Sequence, residues 1–231
     1  MTAKNPIKHY LAWSARTNGK IIIIALVIIL VAGLALAIAR GIPSIANQFS
    51  EHMLNEFIVD IPVKLVILVV PCILLFKSKT HKEWQELHKD ISITKKDYVT
   101  ATYLEIFLST FISLPVLLII WIVAVLVDSS VSENILTIGV FNLGAGFFLI
   151  WMMTALVYTL QFTKLVKIND GAVLLVVCLF ASLWTTMGFQ SLLFLAEIPS
   201  LLKGAICALA GLVILLIGRA ITAKLYEKVD L

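Results

Sequence analysis

Charged residues make up only 14% of this 231-residue chain, where a soluble domain carries about 25%. With 61% hydrophobic residues and a mean hydropathy of +1.03, that scarcity excludes an ordinary soluble domain. Cysteine is sparse as well. Cys72, Cys178 and Cys207 fall inside apolar runs and form no CxxC pair, so they offer neither a disulfide framework nor a thiolate metal site; they read as small buried hydrophobes. Strand-like alternation is missing too. Ile21 to Ala39 is continuously apolar, whereas a membrane β-barrel needs alternating segments of about ten residues. The net charge of +4 comes from loop placement and does not point to nucleic acid.

Catalytic signatures are also absent. The chain has no GxxxxGK[ST] loop to cradle a nucleotide and no HExxH pair for zinc. His9, His52, His81 and His88 all lie outside the apolar runs, and His81 with His88 reads as a solvated face rather than a metal site. No serine–histidine pair, aspartate pair or GxSxG turn stands in one membrane layer, as an intramembrane hydrolase requires. The expectation is a non-enzymatic chain that itself holds no catalytic, cofactor or metal residues.

What the chain has is long apolar runs, near 21–39, 57–76, 101–127, 136–160, 171–193 and 204–222, each able to cross a hydrocarbon core of about 30 Å. They predict a single all-α membrane domain of six spans over 1–231. The first run is preceded by basic residues and contains Ala35-Leu36-Ala37, like a signal sequence, but its 19 apolar residues exceed a signal's 7–15 and favour a retained anchor. Counted on alternate sides of the spans, 15 of the 18 Lys and Arg fall on the side of the termini, and only Arg40 and Lys203 on the other, with Lys64 inside span two. The positive excess predicts both termini in the cytoplasm.

Before span one, Ile7, Tyr10, Leu11 and Ser14-Ala15 recur at helical spacing beside Trp13, which predicts a short helix on the inner leaflet; a frayed basic tail is the competing reading. Between spans two and three, segment 77–97 contains Thr80-His81-Lys82-Glu83, the spacing of a capping box. Trp84, Leu87 and Ile91 then share one face while Lys82, Glu86, Lys89 and Asp90 are left to water. A second start at Thr94, with Asp97 in the first turn, opens the third long helix.

Three ionisable residues lie clearly within the spans, Arg219 being counted with the basic residues at the end of span six. Asp60 and Lys64 stand four apart, acid first, in the favourable order for a pair; they either neutralise each other or line a polar gate at the outer mouth. Glu105 lies about two turns into span three, with Lys164 or Lys167 as candidate partners and coupling to a docked protein as the alternative. Pro62, Pro71 and Pro115 predict kinks in spans two and three. Gly33 with Ala37, and Gly204, Ala208 and Gly211, form small-residue stripes for close helix packing, within one chain or between two.

Ile91-Ser92-Ile93-Thr94-Lys95-Lys96-Asp97-Tyr98-Val99, followed by Tyr103-Leu104, resembles the "LPISRKEYVLSKYL" junction of small permease subunits of type-2 ATP-binding-cassette exporters. These include exporters of amphipathic peptide toxins and bacteriocin self-immunity transporters of Gram-positive bacteria. Ser92 replaces the pattern's proline and Thr102 its lysine. The resemblance implies a permease in a bacterial cytoplasmic membrane, two copies pairing with two cytoplasmic ATPase subunits that bind ATP and Mg, and export of hydrophobic or amphipathic peptides between the permeases. On that pattern Glu83, Trp84, Leu87 and Ile91 belong to an ATPase-coupling helix, and the N-terminal helix is a connecting helix. Trp151, Met152, Met153, Trp184 and Phe189 would offer an adaptable peptide surface, plain packing or lipid contact being the other reading. The rival is a stand-alone membrane protein that gives immunity to, or senses, a membrane-active peptide without ATP, with the 81–91 helix resting on lipid.

Overall fold

A computed structural model describes residues 5–42, 44, 56–76, 81–91, 93–163 and 171–228. Every regular element among them is helical, and six helices are long and apolar enough to cross a membrane. Helix α1 runs over Pro6–Arg40. The Asn5 side chain caps it by accepting the Lys8 amide at 3.1 Å, Pro6 suits the first turn, and Arg40 complements the negative C-terminal end. A separate inner-leaflet helix was expected here, but the basic segment and span one are one continuous helix. Nothing breaks it, because Tyr10, Ser14 and Asn18 face the bundle and are buried there.

Span two begins with a π turn, Glu56–Asp60, and continues as α2, Ile61–Phe76, which passes Pro71 without ending. Helix α3, His81–Ile91, is the short amphipathic element between spans two and three. Thr80 of the expected capping box and the side chains of Glu83 and Ile91 lie outside the described residues. Helix α4, Lys95–Ile112, starts as its sequence dictates: Thr94 accepts the Asp97 amide at 3.1 Å. Span three breaks at Ser113 and resumes as α5, Leu114–Val127, with Pro115 in the first turn. The missing proline donor thus falls where a helix start leaves donors unpaired anyway.

Helix α6 is a single turn, Val131–Asn134, and a second π turn, Ile135–Gly139, leads into α7, Val140–Thr163. Helices α8, Gly171–Leu195, and α9, Ser200–Glu227, complete the bundle. The closest seam joins α7 and α9, which run parallel. Glycines 204, 211 and 218, seven apart, face Val140 and Gly144, then Phe148, then Ala155. A methyl on Gly144 would run into the Gly204 carbonyl, and one on Gly211 would lie 2.7 Å from the Phe148 Cα. Gly33 faces the Ile120 side chain of α5 rather than backbone. Both small-residue stripes are therefore filled by the chain's own helices. Helix α8 is peripheral: Cys178, Ser182 and Thr186 turn inward, while Trp184 is 83% exposed and Leu195 81%.

Candidate functional site at the paired π turns

The two π turns lie against each other. A methyl on Gly139 would stand about 3.0 Å from Val59 Cγ1 and from the Trp121 ring, tighter than an ordinary contact, so the glycine suits the close approach of the turns. A π turn carries one residue more than a helical turn and re-aims the side chains after it. Here the re-aimed groups meet. Asp60 closes the first turn and Asn142 stands just beyond the second; Asn142 Nδ2 donates to Asp60 Oδ1 at 2.7 Å, and Lys64 Nζ donates to Oδ2 at 2.5 Å. Each carboxylate oxygen thus has one donor, and the exposed ammonium neutralises a largely covered acid. Beside the cluster lies a cavity of about 330 Å³ between α2, α7 and α8, where Lys64, Asn142, Thr186 and Gln190 interrupt an apolar wall. The sequence exposed the Asp60–Lys64 pair through its spacing. For Asn142 it held one overlooked signal, a lone amide at the head of span four.

The same end of the bundle carries Arg40 Nε bonded to Asp128 Oδ2 at 2.7 Å, which ties the end of α1 to the end of α5. Ser130 donates its amide and hydroxyl to Asp128 Oδ1 at 2.9 and 2.7 Å. The Ser130 hydroxyl, and after it the Arg40 guanidinium, hold the Asp128 carboxyl below its ordinary range. Sequence reading used Arg40 and Asp128 only as span boundaries. Their opposite charges, on a side with almost no other basic residue, were the available clue.

Glu105 belongs to the opposite end, where it is only 7% exposed. Tyr10 Oη donates to its Oε2 at 2.8 Å, Ser14 Oγ donates to Oε1, and Asn18 Nδ2 donates to Ser14 Oγ at 2.9 Å. The stripe 10, 14, 18 of α1 therefore serves this acid. Lys164 and Lys167 lie outside the described residues. Around the same end the rings of Tyr10, Tyr98, Phe162 and Tyr226 pack in sequence, with centroids 5.0 to 5.6 Å apart, and Tyr158 packs on Phe162 at 5.8 Å.

Helix α3 closes this aromatic end. Trp84 meets the Tyr226 ring edge-on at 6.5 Å, Lys95 Nζ stands 5.8 and 5.5 Å from the two ring centres, and Leu87 is buried. His88 Nδ1 donates to the Ile93 carbonyl at 2.8 Å and ties the end of α3 to the start of α4. The five residues grouped as a peptide surface do not share one. Trp151 stacks on Phe147 at 5.2 Å, Met153 is fully buried, Met152 and Phe189 pack on the Ala145–Phe148–Cys207 cluster, and Trp184 points away from the bundle.

Residues 61–165 match the family model of the mechanosensitive ion channel inner membrane domain 1. The matched stretch runs from α2 to the end of α7 and holds Lys64, Glu105 and Asn142. No curated protein and no solved structure matches. The match overturns the exporter resemblance: the matched stretch covers the whole junction 91–104 on which that resemblance rested. Permease, exporter and peptide transport are withdrawn with it, and the ATP-driven context is left without support. The matched family is one of channels, not enzymes, and the chain is a multi-pass membrane protein.

Proposed function

We propose that this chain is a stand-alone, channel-type membrane protein that responds to bilayer tension, seated in a bacterial cytoplasmic membrane with both termini in the cytoplasm. The observation that carries the reading is the family match over 61–165. The placement of the termini rests on the 15 basic residues on their side against two on the other. Tension shifts an equilibrium only between states that differ in the area they occupy in the membrane plane, as a ligand shifts one only between states of different affinity. The seam around the 330 Å³ cavity suits such a change, because α8 bounds it and is among the least enclosed helices. Widening there would uncover Asn142, Thr186 and Gln190 beside the already exposed Lys64, the polar groups of an otherwise apolar wall.

The test is patch recording of the purified chain in liposomes under graded suction, without nucleotide. Pressure-activated conductance that shifts with Lys64→Gln is the expected result. A silent membrane up to lytic suction, with the chain shown to be folded and inserted, would refute the reading.

A further inference from the structure

Arg219 lies eight residues before Glu227 on α9, about 12 Å inward along the helix. It is half-buried, and among the described residues no carboxylate or other hydrogen-bonding group meets its guanidinium. A cation in a membrane helix calls for a partner or a route to the interface. Beside it a groove of about 210 Å³ runs between α4 and α9, walled by Tyr103, Leu104, Phe107, Leu212 and Leu216. The wall is fixed: the Tyr103 hydroxyl lies 2.9 Å from that of Thr222 and 3.4 Å from the Ala155 carbonyl. Thr100, the polar residue near Arg219, donates its hydroxyl to the Lys96 carbonyl at 2.8 Å. Lys96 itself stands one turn farther out on the same face.

The groove is therefore an apolar slot with a cation at its end and a second one outside. We propose that it binds one anionic phospholipid, an acyl chain lying along Leu104, Phe107 and Leu212 and the phosphate seated on Arg219. Complementarity carries the choice of occupant. A soluble anion leaves the slot empty, a hydrocarbon alone leaves the guanidinium bare, and a guanidinium–phosphate pair is strong and two-pronged. The groove opens sideways past the exposed Leu216, the direction from which a membrane lipid arrives. Nothing in this inference depends on a response to tension.

Native mass spectrometry of the whole chain, titrated with phosphatidylglycerol or phosphatidylcholine, tests it through the first tightly held lipid. The chain should prefer phosphatidylglycerol, and Arg219→Gln should weaken that first binding about fivefold, the equivalent of about 1 kcal/mol for one basic residue. Arg219→Lys should recover most of the loss. Leu216→Trp, which narrows the slot at a lipid-facing position and leaves the charge in place, should also weaken it. Unchanged phosphatidylglycerol binding in Arg219→Gln would overturn the site. So would an effect of Arg219→Gln without any effect of Leu216→Trp, or full competition by soluble glycerol phosphate, because either would reduce the site to surface charge.

Discussion

The two ends of the bundle are fastened by different chemistry. At the π-turn end each ion pair has one open member, Lys64 or Asp128, whose side chain keeps 34% of its area open, set against a largely covered one, Asp60 or Arg40. At the aromatic end, the acid is buried and accepts from hydroxyls, within a sheath of tyrosine, tryptophan and phenylalanine. The Lys64 pair, open on one side, is screened by salt and contributes roughly 0–1 kcal/mol. Hydrogen bonds to a buried acceptor escape that screening, and leaving their donors unmet costs about 1–3 kcal/mol each. The contrast teaches which end should yield first. At the π-turn end the Lys64 pair and the peripheral α8 can part at small cost while the glycine seam of α7 and α9 holds, and the aromatic end should stay closed and keep α1, α3, α4 and α9 in register.

The largest effect should come where the π-turn end is held by backbone rather than charge. Gly144→Ala drives a methyl into the Gly204 carbonyl, and neither helix can yield locally. A loss of about 3 kcal/mol is expected in denaturant unfolding of the purified chain. Gly33→Ala is the control, since the neighbour there is the flexible tip of Ile120, and it should cost about 1 kcal/mol. Equal losses in the two would show that the α7–α9 seam is no tighter than the rest.

Next, Glu105→Leu should cost about 2 kcal/mol, because Tyr10 and Ser14 lose their acceptor in a buried place. Tyr10→Phe, which removes one donor, should cost about 1 kcal/mol. If Glu105→Leu were neutral in the same assay, the aromatic end would owe its closure to ring packing alone.

The smallest effect belongs to Asp128→Asn, about 1 kcal/mol at neutral pH. It carries a pH signature. Because the folded carboxyl is held below its ordinary value of about 4, its contribution is present above that value and is lost as pH falls through the lowered folded one. Asp128→Asn should erase that acid-side step and leave the rest of the profile in place. Superimposable wild-type and variant profiles between neutral and strongly acidic pH would contradict the assignment.

The six spans were legible because hydrophobic length reports directly on crossing a membrane, and the start of α4 was legible because Thr94 and Asp97 make a local cap. The face of α1 expected at Ile7, Tyr10, Leu11 and Ser14-Ala15 is the covered one except at Ala15, which is exposed, and what covers it is the bundle rather than lipid. Periodicity shows that a face is buried without showing by what. The π turns left no local trace, and with them went Asn142, since only the extra residue in each turn aims it at Asp60. The heptad of Gly204, Gly211 and Gly218 was seen only in part, as Gly204 and Gly211, because its length becomes meaningful once α7 is known to run beside it in parallel. The resemblance at 91–104 was carried by a junction whose Thr–Lys–Lys–Asp core also satisfies ordinary rules for starting a helix, which is why it said little about function.

The continuity of α1 has a mechanical consequence. A helix with no break between Pro6 and Arg40 moves as a shaft, and its close lateral contact at Gly33 against Ile120 is the natural fulcrum. At 1.5 Å per residue, Arg40 lies about 10 Å from that point and Tyr10 about 35 Å on the other side. The hydroxyls that hold Glu105 thus resist a swing of the Arg40 end with about threefold leverage.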